Sequence, residues 1–136
     1  MSEMYIVIVA VVLLLVLIVS TNLLLRFKPK KLNQEYYKEH WQALQKLCKD
    51  KSTWPLAVID ADKLLDEALK RSRYKGKSMG ERLVSAQHAI SDNDGVWYGH
   101  KLRNRLVHEN SVKLKERDVK DALVGIRAAL KDLGAL

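Results

Sequence analysis

The first quarter of the chain is almost continuously apolar. Residues 5–19 are all apolar, and after Ser20, Thr21 and Asn22 the run resumes with three leucines. At about 1.5 Å per residue, a helix over residues 5–25 is roughly 30 Å long, which matches the hydrocarbon core of a bilayer. The pattern therefore predicts a transmembrane helix over residues 5–25 that follows a short extracytoplasmic N-terminus at residues 1–4.

A cleaved signal peptide is the alternative interpretation of the same run. It would need a positively charged start, a shorter apolar stretch and small residues at a cleavage site. The only charged side chain before the run is Glu3, and the run closes with Asn22, Leu23 and Leu24. A retained anchor is therefore favoured over cleavage.

The flanks of the apolar run predict its orientation. Four basic residues follow it and no Lys or Arg precedes it: Arg26, Lys28, Lys30 and Lys31. The positive-inside rule then places the N-terminus outside and the rest of the chain in the cytoplasm, at the inner cell membrane. Residues 26–32 are a basic juxtamembrane joint, whose four charges either set topology alone or also bind anionic lipid headgroups.

Residues 33–136 carry helical periodicity and no convincing alternation for a strand. Helices are predicted over about residues 33–50, 55–74, 79–90, 94–108 and 116–133. The first shows the stripe Tyr37, Trp41, Leu44 and Cys48, and Gly76 is expected to close the second. Short connections between such helices predict antiparallel neighbours. The expected fold class is all-α, with a transmembrane helix before an up-and-down bundle of four to five helices.

Composition favours anionic partners and offers no metal or cofactor motif. The net charge is +8, and every Lys and Arg lies beyond the apolar run. This excess favours nucleic acid or lipid headgroups, although charge spread over helices is also typical of a solvated surface. The single cysteine, Cys48, excludes an intramolecular disulfide and a multi-cysteine zinc site. We therefore expect no metal and no cofactor.

The predicted helix over residues 94–108 carries the residue types that chemistry needs. Its informative side chains are Trp97, His100, Lys101, Arg103, Asn104, Arg105 and His108. At about 100° per residue, the core-facing sector contains Gly95, Gly99, Leu102 and Leu106. Asn104 points almost the opposite way, with Trp97, His100 and His108 within about 40° of it. Two histidines, an asparagine and an arginine are therefore expected away from the interior of the bundle.

Residues 103–108 spell R-N-R-L-V-H, which resembles the R-N-x-x-x-H form of the R-x4-6-H motif of HEPN domains. These domains are small helical bundles, and the motif lies on a late helix before one further amphipathic helix, as it does here. The resemblance covers residues 33–136. It implies a metal-independent endoribonuclease of a toxin or phage-defence type that acts on RNA as a homodimer, with an unidentified antitoxin or partner protein.

The resemblance also implies roles for individual residues. His108 would move protons, Arg103 would stabilise charge on the phosphate, and Asn104 would orient His108 or hold a phosphate oxygen. His100, Lys101 and Arg105 are candidate RNA-binding residues beside them. The family's toxins commonly carry H-x-Y at the end of the motif, where this chain has histidine, glutamate and asparagine, so regulation through that tyrosine is not implied.

Two alternatives stay open at this stage. Arg103 and His108 can serve a purely structural role, because basic residues in the last turn of a helix suit its dipole. The protein can also be a non-catalytic, membrane-tethered module that binds a partner protein or a nucleotide. His40 and His88 lie on amphipathic helices without a suitable partner and are interpreted as structural.

Overall fold

The computed structural model describes residues 1–26 and 30–136, and its regular structure is helical. The six α-helices are α1 (Ser2–Arg26), α2 (Gln34–Leu47), α3 (Trp54–Arg71), α4 (Met79–Ser85), α5 (Asn93–His108) and α6 (Glu116–Asp132). No strand occurs in the described residues. The predicted all-α fold, with one apolar helix ahead of five others, is confirmed.

Helix α1 is long and apolar enough to cross a membrane, and none of its residues is buried. Two of its polar side chains, those of Ser20 and Thr21, bond to the backbone of the helix itself. Ser20 and Thr21 both donate their hydroxyls to the carbonyl of Leu17, at 2.9 Å. Hydroxyls satisfied in this way remove the cost of placing them among apolar side chains.

Helix α3 is the centre of the remaining structure and packs against α2, α4, α5 and α6. Its buried apolar residues recur at helical spacing and are Ala57, Val58, Ala61, Leu64, Leu65, Ala68 and Leu69. The small alanines allow neighbouring helices to approach closely, and the leucines fill the space between them. One buried residue of α3 breaks this pattern, since Asp62 lies within the apolar stripe.

Polar side chains cap the starts of α4 and α5. Ser78 accepts a hydrogen bond from the amide of Glu81 at the start of α4, and Asp92 accepts one from the amide of Gly95 at the start of α5. Each of these bonds satisfies one of the amides that an α-helix leaves free in its first turn. These two caps therefore fix where α4 and α5 begin.

The prediction that Gly76 closes the helix now seen as α3 is wrong. That helix ends at Arg71, and Arg73 adopts the left-handed conformation with φ of 66°. The amides of Arg73 and Tyr74 then bond back to the carbonyls of Lys70 and Leu69, which forms a Schellman motif. Arg73 thus occupies a position that glycine usually fills.

The helix expected over residues 79–90 is shorter than its apolar stripe. The α-helix stops at Ser85, although Ala86 and Ile90 are buried as expected. The side-chain amide of Asn93 donates to the carbonyls of Gln87 and Ile90, at 3.0 Å each. Because these carbonyls are satisfied by a side chain, the chain can leave the helix and still bury the stripe.

Helices α5 and α6 approach closely through glycines, as the sequence predicts for α5. A Cβ atom on Gly99 would lie 2.9 Å from Ile126, and one on Gly125 would clash with the backbone of Gly95. The close approach fixes α5 against α6 on one side. The side chains on its other faces are thereby held towards α3 and solvent.

Candidate functional site

Helix α5 carries the residues that the sequence singles out, and its rotation agrees with the predicted core face except at one histidine. Gly99 and Leu102 are buried, as expected. The expectation that His100 lies away from the interior is wrong, because this residue is only 8% exposed. Its imidazole is buried because a polar side chain on α3 forms a hydrogen bond with it.

That partner is Asp62. The Nδ1 atom of His100 lies 3.0 Å from Oδ1 of Asp62, and the carboxylate is itself 3% exposed. A buried carboxylate needs hydrogen bonds or opposite charge to offset the loss of water. The imidazole supplies one such bond, so the two side chains stabilise each other in the contact between α3 and α5.

Arg103 and Asn104 extend this pair into a closed circuit. Nη1 of Arg103 donates to Oδ1 of Asn104 at 2.9 Å, and Nδ2 of Asn104 lies 3.4 Å from Nε2 of His100. Nε of Arg103 lies 3.5 Å from Oδ2 of Asp62. We call these four residues, Asp62, His100, Arg103 and Asn104, the polar ring.

Electrostatics within the polar ring pull in opposite directions. Burial raises the pKa of the Asp62 carboxyl above its ordinary value, and the charge of Asp66 adds to this. The hydrogen bond and charge of His100, together with the charge of Arg103, act to lower it. Burial is the largest of these effects, so the pKa of the carboxyl is raised overall, and His100 and Arg103 offset part of the cost of burying its charge.

The polar ring is buried at one edge and open at the other. The side chains of Asp62 and His100 are 4% and 11% exposed, while that of Arg103 is 34% exposed. Asn104 is half-buried. A guanidinium in this position is anchored from beneath and still offers N–H groups to a ligand in solution.

His108 is exposed in the last turn of α5, and it makes no hydrogen bond or ion pair with any described residue. It follows Arg103 by five residues, which corresponds to about 7.5 Å along the helix axis and about 140° around it. The two side chains do not contact each other. A bound phosphate would have to bridge them.

The remaining candidate residues are all at the surface where described. Lys101 is exposed, and Arg105 pairs with Glu109 across 3.6 Å, which partly offsets the negative charge next to His108. Of the proposed lipid-headgroup set, Arg26, Lys30 and Lys31 are exposed. Lys28 lies outside the described residues.

Sequence reasoning missed Asp62, because this residue belongs to an acidic stretch near the start of α3, where carboxylates suit the helix dipole. The signal available was an ionisable residue inside an apolar stripe, since Ala61, Leu64 and Leu65 flank it. Such a residue is buried only with a partner. His40, by contrast, bonds locally to the carbonyl of Tyr36 at 2.8 Å.

One further surface could hold a ligand. In the described residues no group of three or more His, Cys, Asp or Glu side chains has the arrangement of a metal site. A groove with a volume of about 360 Å³ lies between α2 and α6, and its apolar lining includes Trp41, Cys48, Trp54, Leu123 and Val124. Burial raises the pKa of the Cys48 thiol, so this cysteine is a poor nucleophile.

Comparison with protein-family models, curated proteins and solved structures finds no match to this chain.

Proposed function

We propose that the chain is a membrane-anchored, HEPN-like, metal-independent endoribonuclease whose site is the outer edge of α5. One observation carries the proposal. The polar ring holds the partly exposed guanidinium of Arg103 from beneath, and His108 is exposed on the same helix. Both are residue types that phosphodiester transfer needs, and each is available to a ligand from solution. Growth arrest through RNA cleavage, as in toxin or phage-defence systems, is the proposed biological role.

The proposed reaction is an internal phosphoryl transfer. The imidazole of His108 accepts the proton of a ribose 2′-hydroxyl, and the 2′-oxygen attacks the adjacent phosphorus. The bond from phosphorus to the 5′-oxygen breaks, and that oxygen takes up a proton. The products are a 2′,3′-cyclic phosphate and a 5′-hydroxyl, so no water or metal is consumed.

Arg103 stabilises the transition state of this step. Negative charge builds on the non-bridging oxygens as the phosphorus becomes pentavalent, and a guanidinium offers them a planar pair of donors. Arg103 has this geometry fixed in advance by Asp62 and Asn104. Preorganised donors stabilise developing charge better than mobile ones, because nothing has to reorganise during the reaction.

A direct test uses the full-length protein in detergent micelles, a fluorescent single-stranded RNA and excess EDTA. His108→Ala is expected to slow cleavage at least about a hundredfold, the usual contribution of a general acid or base. Arg103→Ala is expected to lose a similar factor, and Arg103→Lys should not restore it because lysine lacks the planar fork.

The matched control is His88→Ala, which removes another exposed histidine, from the turn between α4 and α5. It should cleave RNA at the wild-type rate. Imidazole added to His108→Ala should restore part of the activity. Wild-type protein that leaves RNA intact under all these conditions would refute the nuclease proposal.

The proposed assembly is a homodimer, because one motif supplies one exposed histidine and the reaction needs both a base and an acid. We test it by disulfide cross-linking in a Cys48→Ala background. Lys101→Cys, exposed beside the motif, should cross-link between protomers. Val124→Cys is equally accessible but lies in the groove on α6, and it should not. The reverse result would contradict a dimer with opposed motifs.

The proposed location is the inner cell membrane, with α1 spanning it, the N-terminus outside and residues 30–136 in the cytoplasm. The length and composition of α1 and the basic residues that follow it support this topology. In a Cys48→Ala background, Ser2→Cys should react with a membrane-impermeant maleimide in intact cells. A cysteine added after Leu136 should react only after lysis, and the opposite pattern would reverse the topology.

We also propose that Arg26, Lys28, Lys30 and Lys31 bind anionic lipid headgroups. A chain that lacks residues 1–25 but keeps these four charges should bind vesicles containing phosphatidylserine, and salt should weaken the binding. The matched control replaces all four with glutamine. Equal binding to neutral vesicles would contradict an electrostatic contact.

The second candidate function is a non-catalytic, membrane-tethered interaction module. The groove between α2 and α6 favours it, because Val124 leaves 57% of its surface exposed there. Expression in cells separates the two candidates. A growth phenotype that survives His108→Ala but disappears in Val124→Asp would support the module, and the reverse would support the nuclease.

A further inference from the structure

The polar ring has a fixed direction of hydrogen bonding, which follows from the chemistry of its members. An ionised carboxylate only accepts hydrogen bonds. Nδ1 of His100, 3.0 Å from Oδ1 of Asp62, must therefore carry the hydrogen and donate it. In a neutral imidazole the other nitrogen, Nε2, is then an acceptor.

This tautomer determines how Asn104 is oriented. Nε2 of His100 accepts from the nearer atom of the Asn104 amide, which must be the donor Nδ2, at 3.4 Å. Oδ1 of the same amide then faces Arg103 and accepts from Nη1, at 2.9 Å. Each of these three hydrogen bonds joins one donor to one acceptor, and an ion pair between Nε of Arg103 and Oδ2 of Asp62, at 3.5 Å, closes the ring.

We propose that Asp62 and His100 are positioning residues for Arg103: the buried pair selects the one orientation of Asn104 that can hold the guanidinium. The orientation of Asn104 and Arg103 is inferred from the contacts of the polar ring alone. Its effect on RNA cleavage rests on the proposed function. Neither residue touches the substrate in this scheme, because Asp62 and His100 lie beneath Arg103.

Protonation of His100 is incompatible with the ring. With a hydrogen on Nε2, the Asn104 amide nitrogen would face another donor. If the amide rotated to present its oxygen to His100, its nitrogen would face Nη1 of Arg103, which is also a donor. Both orientations leave one donor pair, so only a neutral His100 satisfies every hydrogen bond of the ring.

The groups around His100 are few. From α3 it faces Asp62, and Asp66 behind it is already paired with Lys70 and with Arg82 of α4. From its own helix it faces Arg103 and the edge of the Trp97 ring. On α6, Asp118 accepts a hydrogen bond from Tyr98 of α5.

Four variants test the positioning role in the full-length protein in micelles. His100→Gln keeps one donor and one acceptor in the side chain, whereas His100→Phe keeps the bulk and neither. Asp62→Asn places an amide donor where Arg103 Nε needs an acceptor. Asp66→Asn is the structural control. Asp66 lies on the same helix as Asp62, and the change breaks its ion pair with the buried Arg82 of α4 while leaving the ring intact.

The first readout is the nitrogen NMR spectrum of the Arg103 side chain, which does not depend on activity. The Nη1–H group, which donates to Asn104, is expected to exchange with water about tenfold faster in His100→Phe and Asp62→Asn than in wild type, because the orientation of Asn104 that holds it is lost. His100→Gln and Asp66→Asn should exchange at the wild-type rate.

The second readout is RNA cleavage. His100→Phe and Asp62→Asn should lower kcat about tenfold or more with little change in KM, while His100→Gln retains most of the wild-type kcat. Unchanged Arg103 exchange in both disruptive variants would overturn the positioning role whatever the activity. If the wild-type protein cleaves no RNA, the proposed function is refuted. The exchange rates would then still test whether Asp62 and His100 position Arg103. If His100→Phe fails to fold, Asp62→Asn decides.

Discussion

The hydroxyl of Tyr37 lies in the core without a hydrogen-bond partner among the described residues. Removing a buried, unpaired hydroxyl removes a desolvation cost, so Tyr37→Phe should raise the free energy of unfolding by about 1 kcal/mol at neutral pH. Tyr36→Phe is the matched control. It loses a 3.0 Å hydrogen bond to Glu67 and should lower the same quantity. Urea unfolding followed by circular dichroism measures both.

Tyr37 also predicts a loss of stability in alkali. Burial raises its pKa to about 12 in the folded protein, against 10.0 for an ordinary tyrosine. The unfolded chain therefore loses this proton first, and stability present below about pH 10 declines as the pH rises towards 12. Over this range wild type should lose more stability than Tyr37→Phe. Parallel curves for the two proteins would contradict the assignment.

The candidate site could be only partly predicted from sequence, and the residues explain why. A helical wheel orders side chains around one helix, so it correctly assigned Gly99 and Leu102 to the core of the bundle. It cannot show which neighbouring helix supplies a polar partner. His100 is buried because Asp62 of α3 meets it, and this contact joins residues 38 positions apart.

At the level of elements, two Schellman motifs provide a matched test of backbone conformation. Gly134 adopts φ of 76° after α6, with open space around its Cα, while Arg73 adopts φ of 66° after α3. A non-glycine residue in this region costs about 1 kcal/mol. Gly134→Ala should therefore lower stability by that amount, and Arg73→Gly should raise it.

Arg73→Ala separates the backbone effect from the side chain. It removes the guanidinium, which donates to the carbonyl of Arg26, but keeps a Cβ in the left-handed region. It should be about 1 kcal/mol less stable than Arg73→Gly. Equal thermal midpoints for the two variants would show that backbone conformation is not the cause.

The contact between α5 and α6 should be the least tolerant of added volume. A Cβ on Gly125 would collide with the backbone of Gly95, which cannot rotate away. Gly125→Ala should therefore destabilise the protein by about 1 to 3 kcal/mol, despite the better helix propensity of alanine. Ala128→Gly is the matched control on the partly exposed side of the same helix, and it should cost only about 1 kcal/mol.

Helix existence was predictable from periodicity, but helix ends depended on contacts that the local pattern does not encode. The apolar stripe through Ala86 and Ile90 suggested a helix that continues past residue 85. Asn93 instead satisfies the carbonyls of that segment from the next element. Likewise Gly76 looked like a helix end, whereas the structure uses it where Arg82 and Glu81 leave no room for a Cβ.

For the whole molecule, the separation of α1 from the core predicts independent folding. No residue of α1 is buried, and the buried apolar residues lie between Leu32 and Ala135. A chain of residues 30–136 should therefore be soluble and unfold cooperatively, within about 3 °C of the full-length protein in micelles. A drop of more than about 10 °C would indicate that α1 contributes to the fold.

Helix α1 ends at Arg26 and α2 begins at Gln34, so seven residues form the tether between them. Fully extended, they reach at most about 25 Å. With α1 in a bilayer, every copy of the bundle is confined to a thin layer beside one surface. The frequency of encounters between copies then depends on the number of copies per unit area of membrane. A higher expression level raises this surface density and therefore the encounter frequency.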